Sequence, residues 1–105
     1  MAQFDVHRNR HSATRARFPL LLDVQSDLLE PLATRVVIPL APLANAPTPR
    51  LETLTPALAF EGRKYVLMTP LLAGIAAREL GHVAGNLDAE RDAIIAALDM
   101  LITGI

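Results

Sequence analysis

Cysteine and tryptophan are absent from this 105-residue chain, and three Phe and one Tyr are its only aromatic residues. Without thiols there is neither a disulfide framework nor a thiolate site for a metal or a nucleophile. With so few rings, the core must be built from Leu, Ile, Val and Ala, which supply most of the 51% apolar content. Charge of one sign is missing too: ten basic and eleven acidic residues leave a formal net charge of −1, which argues against a protein held to nucleic acid by its overall charge. No apolar run approaches the ~20 residues needed to cross a bilayer. The opening residues MAQFDVHRNR lack the apolar stretch of a signal peptide. The expectation is one cytoplasmic domain spanning residues 1–105, large enough to bury roughly two-thirds of its unfolded-chain surface.

What is present is clearest at the end of the chain. Asp88 to Ile102 reads as one amphipathic helix, followed only by Thr103, Gly104 and Ile105. Ile94, Ala97, Leu98, Leu101 and Ile105 recur at helical spacing and form a stripe for the core. Ile95, Asp99 and Ile102 lie on a neighbouring face that this stripe cannot also bury. That second face, with the last three residues, is a candidate surface for another molecule. Asp88 is placed to cap the helix, and Glu90 adds negative charge to its first turn.

Upstream the periodicity is that of strands. Gln3 to His7 alternates Phe4 and Val6 with polar neighbours. Residues 8–17, with Arg8, Arg10, Arg15 and Arg17, read as a solvated hairpin end. Phe18, Leu20, Leu22 and Val24 make a second strand, and Val36, Ile38 and Leu40 a third. Pro39 inside that third strand suggests an edge or a bulge. Pro39 to Pro56 carries five of the eight prolines and reads as loop. Ala57 to Phe60 and Tyr65 to Met68 flank Glu61-Gly62-Arg63-Lys64 as a hairpin. From Pro70 to Gly85 the signals conflict: Ala76 to Leu80 favour helix by propensity, while Gly74, Gly81 and Gly85 punctuate like turns. Several antiparallel strands followed by one terminal helix make an α+β or small-barrel plan.

The catalytic inventory is thin. His7 and His11 have the spacing of a helical metal pair, but they fall in strand and hairpin among arginines that repel a cation, so two solvated histidines suffice. Ser26 lacks the glycines of a nucleophile elbow, and turn chemistry accounts for it and its flanking Asp residues. Asp23 and Asp27 suggest paired carboxylates, without a third ligand or a base. The Arg cluster offers phosphate contacts, or simply keeps a sheet edge soluble. No cofactor is indicated, and the balance points to a binder.

Leu20 to Ala41, LLLDVQSDLLEPLATRVVIPLA, closely resembles the CcdB family of bacterial toxins, in which a DVQSD block and a VIPL block stand about ten residues apart. Gln3-Phe4-Asp5-Val6 looks like that family's first strand, Met68-Thr69 like its middle strand, and a capped helix ending in Gly-Ile closes both. The middle region, Asn45 to Thr55, matches poorly, and the hairpin between Val6 and Val24 is about three residues longer. The resemblance implies an SH3-like small barrel or antiparallel sheet with a smaller sheet and a C-terminal helix, assembled as a homodimer. It also implies that Leu71 to Leu80 is extended. Family members are toxins of type II toxin–antitoxin systems that bind the A subunit of DNA gyrase and trap this topoisomerase on cut DNA. A cognate CcdA-like antitoxin neutralises the toxin. Their complex acts as a repressor of transcription, touching DNA only through the antitoxin.

Carried over by residue, Thr103, Gly104 and Ile105 occupy the gyrase-binding terminus. Gln3, Phe4, Ser26, Leu28, Leu29, Asp99 and Ile102 occupy the antitoxin-binding face, with Leu28 and Leu29 equally readable as core. His7 falls where the family has an aromatic. The family terminus is Trp-Gly-Ile; here Thr103 replaces the Trp, Ile102 a Phe, and Asp99 an Asn. Interface Trp residues are typical hot spots worth ~2–4 kcal/mol, so the Thr weakens such a contact roughly 30- to 1000-fold. Two alternatives follow: a gyrase-inactive relative that still binds an antitoxin, or an endoribonuclease like the barrel-sharing MazF toxins. For the latter no matched acid–base pair is seen.

Overall fold

The computed structural model describes residues 2–46 and 51–104. Strand β1 (Asp5–Arg8) pairs antiparallel with β2 (Leu20–Asp23), which pairs with β3 (Thr34–Pro42). Beyond it β4 (Ala57–Phe60) and β5 (Arg63–Leu67) form a hairpin whose second strand joins β3. The remaining strands are β6 (Ala73–Ala76) and β7 (Val83–Asn86). The order across the sheet is β4-β5-β3-β2-β1-β7, with β6 also on β3. The sheet curls into a half-barrel and is closed off by helix α1 (Arg91–Thr103), an α+β architecture. The smaller sheet expected from the resemblance is the β4–β5 wing, hydrogen-bonded continuously with the rest.

Strand β3 is the spine, and here the reading of Pro39 as an edge marker is corrected. Pro39 sits mid-strand opposite Leu21. Its carbonyl accepts from the Met68 N–H at 2.9 Å, on the side away from β2. The missing N–H faces that same side, between the stretch paired with β6 (Thr34 to Val37) and the stretch paired with β5 (Leu40 to Pro42). A proline therefore costs no ladder bond at the point where the strand changes partners. The expected loop begins only after Pro42.

Val6, Leu20, Leu22, Ile38 and Leu40 of the first three strands, with Leu58, Leu67, Ile94 and Ala97, make the centre of the core. The helix stripe packs as expected at Ile94 and Ala97, with Leu98 and Leu101 half-buried. Asp88 is not the cap. The Asn86 Oδ1 accepts its N–H at 2.7 Å, residues Asp88–Glu90 form a 3₁₀ turn, and the helix starts three residues late at Arg91. Ala73–Ala76 is extended, held by four register positions on β3, whereas Ala77–Glu79 of the helix-favouring stretch form a 3₁₀ turn, so the extended run implied for Leu71 to Leu80 is present only in part. His7, expected in solvent, is buried, with Nδ1 3.0 Å from the Gly81 carbonyl.

Candidate functional site

The DVQSD block builds one corner of the molecule residue by residue. Asp23 is fully buried; its Oδ1 accepts from the Gln25 N–H at 3.0 Å and its Oδ2 from Arg35 Nε at 2.8 Å. Val24 enters the core. Gln25 donates from Nε2 to the Leu29 carbonyl at 3.3 Å and accepts the Val36 N–H on Oε1 at 3.0 Å, tying the next turn to β3. Ser26 caps that turn, its Oγ accepting the Leu28 N–H at 3.2 Å. Asp27 Oδ1 accepts the Gln3 N–H at 2.7 Å, and Gln3 Nε2 donates to the Val24 carbonyl at 3.2 Å. The N-terminal segment and the turn are thus one unit.

What this scaffold presents is apolar. Leu28 is 90% exposed, with Leu29 and Leu32 about half exposed beside it. The core half of the reading for Leu28 and Leu29 is therefore corrected: the capped turn lifts both away from the interior. Leu32 was missed by sequence reasoning. Acidic Asp27 and Glu30 border the leucines in the chain, both exposed.

Phe4 sits differently from its expected place on a partner-binding face. Its ring is buried in the core at a left-handed backbone angle (φ 69°), beneath the guanidinium of Arg91 at 5.6 Å. Phe4 N–H donates to the Asp23 carbonyl and Leu87 N–H to the Phe4 carbonyl, so the residue ties β2 to the helix approach.

On the helix, Asp99 and Ile102 face solvent, Ile102 at 76% exposure. Thr103 is exposed, but its hydroxyl turns back to donate to the Asp99 carbonyl at 2.7 Å. Gly104 ends the helix in the left-handed region (φ 79°), its N–H on the Met100 carbonyl at 3.0 Å. Only glycine takes that angle without strain. Ile105 lies outside the described residues. Hydrogen bonds join Gln3 to the Ser26–Leu29 turn, and none links that turn to Asp99 or Ile102.

Sequence reasoning also missed Arg35, buried with Asp23 inside the sheet face that α1 leaves bare. The alternation of β3 carries the signal: Arg35, Val37 and Pro39 share one face. A cavity of about 630 Å³ opens on that face, floored by Leu21, Val37, Pro39, Ala73 and Ile75. Among the described residues no three His, Asp or Glu side chains gather as a metal site, and no helix is long and apolar enough to cross a membrane.

Fold and site together define a small α+β module with a curled antiparallel sheet, a terminal helix and an outward-facing leucine turn. The family model described as CcdB protein matches residues 3–104, and the chain belongs to that family, one of toxins in toxin–antitoxin systems. Among curated proteins no match is found.

Proposed function

We propose that this chain is the toxin of a type II toxin–antitoxin pair, acting in the cytoplasm by binding the A subunit of DNA gyrase and neutralised by a cognate antitoxin. The observation that carries the reading is the Leu28-Leu29 turn. Four buried or capping side chains of the DVQSD block hold two leucines outward, an arrangement that stabilises nothing within the chain and suits a protein partner. The protein acts by docking, without covalent chemistry of its own. A homodimer completes the reading, supported by the apolar floor of the bare sheet face, and the antitoxin complex represses transcription.

The test is induced expression in a susceptible bacterium with and without the antitoxin gene. Growth arrest with DNA breaks, relieved by the antitoxin, is expected. Leu28→Glu/Leu29→Glu should stay folded and lose the antitoxin, so that growth arrest is no longer relieved. Unimpaired growth on wild-type expression rejects the gyrase reading.

Thr103 favours a second reading, a relative that keeps the antitoxin and has lost gyrase. Its hydroxyl is spent inside the helix, and no ring stands at the terminus. Thr103→Trp should then turn a harmless protein toxic while antitoxin affinity stays unchanged.

A further inference from the structure

The arginine-rich connection between β1 and β2 takes no part in the leucine turn or the helix face. Arg8, Arg10, Arg15 and Arg17 are all exposed, and no Asp or Glu occurs between Val6 and Leu22. Arg10 and His11 meet Arg78 around one cavity mouth, where Glu79 is the single acid. His82 joins through Arg8, whose N–H donates to the His82 carbonyl at 3.1 Å. Among the described residues the one ion pair is Arg35–Asp23, so none of these exposed guanidinium groups is neutralised by a described acid.

The connection is also built to hold its shape. Asn9 is buried at its base and donates to the Phe18 carbonyl at 2.7 Å and to Thr14 Oγ1 at 3.0 Å, while its Oδ1 accepts the His11 N–H at 3.0 Å. Arg15 and Phe18 amides close two turns on the His11 and Thr14 carbonyls. Arg17 lies over the Phe18 ring at 5.1 Å. Protection of a sheet edge does not explain these charges, because β1 and β2 are interior strands.

We propose that the β1–β2 connection, with Arg78, binds the phosphate backbone of duplex DNA without regard to base sequence. Arginine forks match phosphate oxygens. The patch has no exposed Phe, Tyr or Trp ring, Phe18 being buried, so it lacks the large stacking platform that single-stranded nucleic acid requires. Overall charge is near neutral, and binding rests on a local cluster separate in the chain from the acidic border of the leucine turn. Arg10, His11 and Arg78 lie at the rim of the cavity whose floor the homodimer reading uses, and the surface adds a direct contact where the toxin reading has DNA touched only by the antitoxin.

The test is fluorescence anisotropy of a labelled 20-base-pair duplex of arbitrary sequence with the purified full chain, from 25 to 200 mM NaCl. Neutralising three or four phosphates predicts a slope of log affinity against log salt of about −3. Arg10→Gln/Arg15→Gln should weaken binding at least tenfold at low salt and flatten the slope by about 2. Arg8→Gln/Arg78→Gln serves if the first pair fails to match the wild-type circular dichroism. Arg63→Gln/Lys64→Gln, removing the same charge from the β4–β5 hairpin, should change affinity less than twofold. The proposal is overturned by no binding at 25 mM salt, by equal losses in the control pair, or by tighter binding of single-stranded RNA or polyglutamate.

Discussion

Asp23 and Arg35 meet with 1% or less of either side chain exposed, yet only Nε of the guanidinium is satisfied; Nη1 and Nη2 have no partner among the described residues. A buried pair of this kind gains little net stability, whereas removing one member strands a charge, at about 3–5 kcal/mol. Arg35→Met should therefore lower the urea midpoint severely. Asp23→Leu/Arg35→Met should recover most of the loss, and a double variant as unstable as the single one would contradict this account. Phe4 is the other unusual residue: an aromatic at positive φ costs about 1–2 kcal/mol, tolerated because the ring fills the core and both backbone groups are hydrogen-bonded. Gly81 faces a harder constraint. A Cβ there would run into the Arg8 carbonyl, so Gly81→Ala should destabilise by about 1–3 kcal/mol, read as a lowered urea midpoint with an unchanged slope.

Among the elements, the β4–β5 hairpin was legible because its signal is local. Glu61 and Gly62 both take positive φ, at 51° and 78°, which makes a two-residue turn of the type that matches strand twist. Glu61 is the poor fit, since Asn leads at that position. Glu61→Asn should stabilise by roughly 0.5 kcal/mol and raise the melting temperature by about 2–4 °C. The terminal helix was legible for the same reason, by its stripe, although its start was not. Asp88 has the chemistry of a cap, but Asn86 captures its amide first. Residues 73–76 could not be placed by propensity, because their conformation is dictated by β3, some forty positions away in the chain; the resemblance placed them. Pro39 misled for a related reason. Whether a strand proline marks an edge depends on where neighbouring strands begin and end, which no window of sequence contains. The leucine turn was found, but its exposure follows from Gln25 and Ser26 hydrogen bonds that only the fold discloses.

At the scale of the molecule, the sheet has one face under α1 and one face left with an apolar floor. If two copies meet there, Ala73→Glu, an exposed position on that face, should shift sedimentation at micromolar concentration from dimer to monomer and abolish the concentration dependence of the melting temperature. A monomeric wild type would remove the homodimer. The two ends of the chain are tied together: β1 is covered on its outer side by β7, and Asn86 reaches back to Asp5 across 81 residues. Pairings of such range form slowly. During synthesis, β1 has no partner on its outer side until β7 has left the ribosome. The chain therefore completes its sheet only after most of it has been made.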